Sequence, residues 1–110
     1  MNFYIGNSIN EIDKQEPSVE FSDELINFIY KLSKQVPLDM SKLHGINPYD
    51  DVEVSKSDLP RIIEVCNYIL SGSLLQNYEE SDEGNQMLQD LADIAKKAIS
   101  RDLGLVSIGD

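Results

Sequence analysis

Three stretches of this chain carry apolar residues at spacings of three and four, the repeat of one face of an α-helix. The first stretch follows Ser22, a residue type that caps helices, and stops before Pro37, which forces its predecessor out of helical backbone. Its apolar residues are Leu25, Phe28, Ile29, Leu32 and Val36. The pattern predicts a helix over residues 22–35.

The second apolar stretch predicts another helix, capped by Ser55 or Ser57 and ending near Gly72. Its apolar residues are Leu59, Ile62, Ile63, Cys66, Ile69 and Leu70. Pro60 falls in the first turn, where a proline has no intrahelical hydrogen bond to lose. The three stripes are expected to share one core.

The third apolar stretch follows an acidic connector, residues 79–84, and predicts a long helix that ends before Gly104. Its apolar residues are Leu88, Leu91, Ala92, Ala95, Ala98, Ile99 and Leu103. Gly104 suits the left-handed position that follows many helices. Because the stripes should form one core, we expect Phe28, Ile63 and Leu91, one residue from each stripe, all to be buried.

Strand signals are confined to short segments. Phe3, Tyr4 and Ile5 favour a strand that ends at Gly6, and the apolar residues 105–108 could pair with it. The alternation over residues 52–54 is too short to predict a strand. We therefore expect a mainly α fold, a small helical domain of three to four helices, with at most a short two-stranded element formed by the termini.

The length and composition fit one small globular domain over residues 1–110. The chain is 41% hydrophobic and 26% charged, close to globular averages, which excludes wholesale disorder. It has no apolar run near the ~20 residues of a membrane helix and no signal-peptide pattern at its start. With a single cysteine, it cannot form an intramolecular disulfide. The cytoplasm is the expected location.

Residues for catalysis or metal binding are scarce. The one histidine, His44, lies in a turn-rich segment, and the one cysteine, Cys66, lies on an apolar stripe where thiols are inert. Residues 79–90 loosely match a calcium loop, but Glu79 and Asp90 are the wrong acids for its first and last positions. No phosphate loop, dinucleotide fingerprint or nucleophile elbow is present. We expect no metal, no cofactor and no enzymatic activity.

Negative charge is the most informative feature for function. The formal net charge is −11, and residues 11–24, 50–58 and 79–93 hold sixteen of the twenty acids and two of the nine bases. Nucleic acid and anionic membranes would be repelled by such a chain, so neither is an expected partner. Solvated loop charge and a surface for a basic protein remain as two interpretations.

The position of the tyrosines favours the second interpretation. Tyr49 precedes Asp50 and Asp51, and Tyr78 precedes Glu79 and Glu80, whereas helix capping accounts for acids only at helix starts. Tyrosine is enriched at the energetic centres of protein interfaces. The predicted partner-binding residues are Tyr49, Asp50, Asp51, Glu53, Tyr78, Glu79, Glu80, Asp82 and Glu83.

In style and length the chain resembles the small acidic immunity proteins of bacterial contact-dependent growth inhibition and related polymorphic toxin systems. The segments that carry the resemblance are residues 2–9, 21–25, 37–40 and 57–63. These families have no catalytic motif, so no residue role can be transferred. The resemblance implies binding to a cognate toxin domain, often a basic nuclease, with occlusion of its active site.

The expected function is therefore an immunity protein that neutralises a toxin domain by stoichiometric binding. The alternative is an acidic regulatory or adaptor domain with another basic protein partner. A small enzyme that uses carboxylates is the least favoured of the three. A neighbouring toxin gene would discriminate the first from the second.

Overall fold

The computed structural model describes residues 1–109, and it contains a four-stranded antiparallel sheet beside its helices. The strands are β1 (Asn2–Ile5), β2 (Val19–Glu20), β3 (Val52–Val54) and β4 (Leu105–Ile108). The main helices are α1 (Asp23–Ser33), α3 (Leu59–Ser71) and α4 (Ser81–Ser100), with a single turn α2 (Ser41–His44) between α1 and β3. Short 3-10 turns cover Ile9–Glu11 and Lys56–Asp58.

The sheet has the order β2-β1-β4-β3, so the two terminal strands lie at its centre. β1 pairs with β4 along its whole length, with Asn2 opposite Ile108 and Ile5 opposite Leu105. β3 adds to the other side of β4 and β2 to the other side of β1. Pairing of the termini is thus present, but as the middle of a larger sheet.

The prediction of a mainly α fold is wrong, because the fold is mixed α/β. Helical segments account for 50% of the chain and strands for 12%, and the strands form one sheet. The two outer strands have two and three residues, and each is held by a partner far away in sequence. Local periodicity over so few residues carries almost no signal, so only tertiary pairing makes them strands.

The predicted starts of α1 and α3 agree with the structure, whereas α4 begins earlier than predicted. The Ser22 side chain accepts a hydrogen bond from the Leu25 N–H at 3.2 Å, which caps α1. Ser55 caps the 3-10 turn that leads into α3, and Pro60 lies at the beginning of that helix. α4 begins at Ser81, inside the predicted acidic connector.

The end of α4 differs from the sequence prediction at Gly104. Asp102 adopts the left-handed conformation with φ 60°, while the Leu103 N–H bonds to the Ala98 carbonyl at 2.9 Å. This is the hydrogen-bond pattern of a Schellman motif, with Asp102 in the place expected for glycine. Gly104 has no positive φ, so its role must lie elsewhere.

The core lies between one face of the sheet and the helices. Phe3 and Leu105 from the sheet and Leu91 from α4 have no exposed surface, whereas Phe28 and Ile63 are only partly buried, contrary to prediction. α3 and α4 make the most extensive helix contact, and α4 also lies against β1 and β2. Among residues 1–109, no helix is long and apolar enough to cross a membrane.

Cys66 lies inside this core, on the face of α3 that is turned away from solvent. Burial raises the pKa of its thiol to about 12. A thiol with this pKa has almost no thiolate at neutral pH, and the thiolate is the reactive form. The prediction that Cys66 is a buried core residue is confirmed.

Ser107 is an exception to the apolar core. It is fully buried in β4 between Phe3 and Val52, and within residues 1–109 its hydroxyl has no hydrogen-bond partner. An unsatisfied buried hydroxyl costs about 1–3 kcal/mol. We expect Ser107→Ala to raise the free energy of unfolding by about 1 kcal/mol, as measured by urea denaturation.

Ser18 provides the matched control for this substitution. Its hydroxyl accepts a hydrogen bond from Asn2 Nδ2 at 3.3 Å, so Ser18→Ala should lower the free energy of unfolding. A loss of stability in Ser107→Ala equal to that in Ser18→Ala would show that the Ser107 hydroxyl is satisfied.

Candidate protein-binding surface

The two tyrosine loops predicted from sequence both meet the first turn of α1. The Tyr49 hydroxyl donates a hydrogen bond to Asp23 Oδ2 at 2.9 Å. Tyr78, on the loop before α4, lies close enough to Ser22 and Glu24 for both side chains to affect the pKa of its hydroxyl. Asp23 and Glu24 are neighbours in the chain, so they bring the two loops to the same end of α1.

We define the acidic surface as Asp23, Glu24, Tyr49, Tyr78, Glu80 and Glu83. Asp23 and Glu24 are the acids in the first turn of α1, where the sequence indicates no role beyond helix capping. Their presence within three residues of an N-cap was the one available signal, and it did not show which loops would pack beside them. The contact with Tyr49, twenty-six residues away, could not be predicted from local spacing.

Tyr78 packs its ring against the core and places its hydroxyl near the carboxylates of the acidic surface. Its ring packs edge-on against Phe28, with ring centroids 5.0 Å apart, and it is close to Gly84 of α4. Partial burial raises the pKa of the Tyr78 hydroxyl, and the charges of Glu24, Glu80 and Glu83 raise it further. Tyr49 is different, because 64% of its surface is exposed.

Carboxylates crowd one another around Tyr78. Glu83 makes the largest contribution to raising the pKa of Glu80, and burial and the charges of Glu24 and Glu79 contribute less. The ion pairs found within residues 1–109 engage Glu16, Asp58, Glu64 and Asp102. None of them neutralises a carboxylate of the acidic surface.

Repulsion around Glu80 should make stability depend on pH. The pKa of Glu80 is higher in the folded protein than in the unfolded chain, so ionised Glu80 disfavours the folded state at neutral pH. That penalty disappears as the pH falls below the unfolded pKa, about 4.3. We expect Glu80→Gln to raise the melting temperature at pH 7 and to leave it unchanged near pH 3.

Glu79→Gln is the control for this prediction, since it removes the same charge from a residue that contributes little to the raised pKa of Glu80. Calorimetry should show a smaller rise at pH 7 for Glu79→Gln than for Glu80→Gln. If Glu80→Gln lowers the melting temperature at pH 7, Glu80 is not under repulsion in the folded state.

Three of the predicted acids hold neighbouring segments in place. Asp50 accepts a hydrogen bond from Asn47 Nδ2 at 2.9 Å, and Asp51 accepts one from the Gly109 N–H at 3.0 Å. Glu53, on β3, accepts one from the Ile9 N–H at 3.1 Å. The sequence indicates no local role for these carboxylates, whereas in the structure each one accepts a hydrogen bond that stabilises a loop or turn.

Glu79 and Asp82, the remaining predicted binding residues, are both exposed beside the start of α4. The structure therefore collects Tyr49, Tyr78, Glu80 and Glu83 around α1 and places Glu53 against the Ile9–Glu11 turn. His44, the one histidine, packs edge-on against the Tyr30 ring with centroids 5.2 Å apart.

The arrangement suits binding of a cationic protein surface. Exposed carboxylates that lack cationic partners create a negative potential, and a tyrosine beside them offers a stiff contact surface with a polar end. No group of three or more potential ligand residues able to hold a metal ion occurs among residues 1–109. No family model matches the chain, and no curated protein or solved structure is significantly similar to it.

Proposed function

We propose that this chain is a non-enzymatic immunity protein that neutralises a cognate toxin domain by stoichiometric binding. The partner is a basic domain, and a nuclease fits best, because nucleases carry positive charge to bind phosphates. Binding through the acidic surface would cover the same positive charge that the toxin uses for its substrate. The expected location is the cytoplasm, where such a toxin would act.

The main support is the convergence of two tyrosine loops on α1, where the carboxylates form no ion pair with any residue in the described range 1–109. This arrangement costs stability through repulsion, as the raised pKa of Glu80 indicates. If these carboxylates served only for solubility, clustering them would bring no benefit, because the same charges spread over the surface would act equally well without the repulsion. A basic partner would relieve the repulsion and gain favourable electrostatic energy on binding.

The experiment that tests this proposal uses the gene immediately upstream. The C-terminal domain of its product is expressed in cells with and without this protein, and growth is measured. We expect the domain alone to stop growth and co-expression to restore it, with a one-to-one complex in light scattering. Growth arrest despite excess of this protein would overturn the proposal for that partner and favour the adaptor interpretation.

Tyr49 is the cleanest residue for testing the interface. Because it is exposed, Tyr49→Ala should leave the core intact while the complex dissociates roughly tenfold faster, as loss of a packed anchor predicts. Surface plasmon resonance would measure this rate. Tyr30→Ala removes an exposed tyrosine from the other end of α1 and should leave the dissociation rate unchanged. Equal rates for the two variants would exclude Tyr49 from the interface.

A further inference from the structure

A groove runs between the edge strand β2 and the helix α4. Two adjoining pockets of about 280 and 290 Å³ form it, and they share Ser18, Val19 and Asp90. Val19, Met87 and Ile94 provide apolar surface within it, while polar side chains of α4 line the rest of its length. The groove is thus a channel of mixed apolar and polar lining with a strand on one side.

The strand that borders the groove has an open backbone edge. β2 is the outermost strand of the sheet, and Phe21 and Met1 exchange backbone hydrogen bonds of 2.9 and 3.1 Å. In an antiparallel ladder the hydrogen-bonded pairs alternate with unbonded ones. Glu20, opposite Asn2, therefore directs its N–H and C=O away from β1, toward the open edge.

The charge of the groove selects the kind of segment it could hold. Glu20, Glu83, Asp90 and Asp93 line it together with a single cation, Lys97. Asp90 and Asp93 accept hydrogen bonds from the neutral amides of Gln86 and Gln89, at 2.8 and 3.1 Å. No ion pair within residues 1–109 engages any of the four carboxylates.

We propose that this groove binds an extended basic segment of the partner, which adds to β2 as a fifth strand of the sheet. The inference rests on the proposed function, because Glu83 belongs to the acidic surface and to the groove, making the two one continuous region. From Glu83 to Lys97 the helix rises about 21 Å, the length of roughly six extended residues. Backbone hydrogen bonds would hold the segment, and its lysines or arginines would meet the carboxylates.

A second copy of this chain is the competing occupant of the open edge. Each copy has a net charge of −11, and the groove itself is acidic, so edge-to-edge pairing of two copies would bring like charges together. The charge thus favours a basic segment from a different protein.

The test uses a synthetic peptide that alternates lysine and valine, with a glutamate–valine peptide as control. Hydrogen exchange and NMR titration are recorded on the full chain at low salt. We expect the lysine peptide to slow exchange of the Glu20 amide at least tenfold and to shift the signals of Val19, Met87 and Ile94. The glutamate peptide should do neither.

Two variants at position 20 separate backbone pairing from charge. Glu20→Ala loses the carboxylate but keeps the N–H that points to the open edge. Glu20→Pro loses both the carboxylate and this N–H. Because the N–H points away from β1, its loss removes no hydrogen bond within the sheet. Glu20→Pro should bind the lysine peptide about tenfold more weakly than Glu20→Ala, with thermal unfolding of both variants confirming that they fold.

The inference is overturned if the lysine peptide protects no amide of β2, or if the two variants bind it equally well. Protection that rises with protein concentration alone would show that a second copy occupies the edge. A toxin domain that binds wild type and Glu20→Pro with equal affinity would overturn the groove but keep the proposed function. A toxin domain that does not bind wild type would overturn the proposed function, and the peptide results would still decide the groove.

Discussion

Replacing Leu91 by alanine should lower the free energy of unfolding by about 2–5 kcal/mol. Leu91 lies on α4, the helix that contacts α3 and the sheet, and its side chain has no exposed surface. The substitution removes apolar surface from the core and leaves a cavity that rigid neighbours cannot fill. A loss of this size is a large fraction of the total stability of a small domain.

Ile63→Ala is the comparison for Leu91→Ala, because Ile63 is on the apolar stripe of α3 but only partly buried. Urea denaturation of both variants should show a clearly smaller loss of stability for Ile63→Ala, because the folded protein buries less apolar surface at Ile63 than at Leu91. Similar losses, or a loss under about 0.5 kcal/mol for Leu91→Ala, would contradict the arrangement of the core.

Gly104→Ala should also be strongly destabilising, by about 2–3 kcal/mol. A Cβ at this position would lie 2.3 Å from the Val54 carbonyl oxygen and 3.2 Å from the Lys56 nitrogen. Both are backbone atoms, so β3 would have to move away from β4. The Gly104 N–H and C=O also bond to Asn7 Oδ1 and the Gly6 N–H, which fixes the segment from its other side.

Gly72→Ala is the matched control for Gly104→Ala. A Cβ on Gly72 would meet the flexible Leu74 side chain and the Tyr68 carbonyl oxygen at 3.2 Å, and its backbone is right-handed. Its replacement should therefore change the free energy of unfolding by less than about 1 kcal/mol. Equal denaturation midpoints for the two variants would show that β3 does not approach Gly104 closely.

The helices could be predicted from sequence because each has its own local signals. α1 has a capping serine, acids in its first turn and a regular apolar stripe, and these agree with the structure within two residues. The prediction of burial was less accurate. Each apolar stripe is wider than the part of the helix that the core covers, and Phe28 and Ile63 lie at the edges of their stripes, where they are only partly buried.

The pairing of β1 with β4 was predicted from the two apolar termini, but the outer strands β2 and β3 could not be predicted because they are short and their pairing is non-local. Val52 of β3 lies opposite Ser107, and Phe3 lies opposite both Ser107 and Val19. A two-residue strand such as β2 has no periodicity of its own. Gly104 was misinterpreted for the same reason: its small size matters because β3 approaches it.

The acidic surface was predictable in part. Tyr49, Tyr78 and Glu80 could be identified because each tyrosine precedes acids in the sequence. Asp23 and Glu24, which lie beside both loops, could not, because helix capping already accounts for acids at the start of α1. Asp51 and Glu53 were included for their charge, and only the fold shows that their carboxylates hold Gly109 and Ile9.

The central claim is that the acidic surface attracts and binds a basic toxin domain. Stopped-flow association of the purified domain, at several salt concentrations, tests it with two triple variants that remove equal charge. One neutralises Glu24, Glu80 and Glu83 on the acidic surface. The control neutralises Glu16, Glu64 and Asp102, each of which forms an ion pair with a lysine or arginine.

At low salt the acidic-surface variant should associate roughly tenfold more slowly than wild type, while the control variant changes much less. The difference should shrink as salt is added, because exposed charges are screened over about 8–10 Å near physiological ionic strength. Association rates that are independent of salt, or equal for the two variants, would contradict the claim.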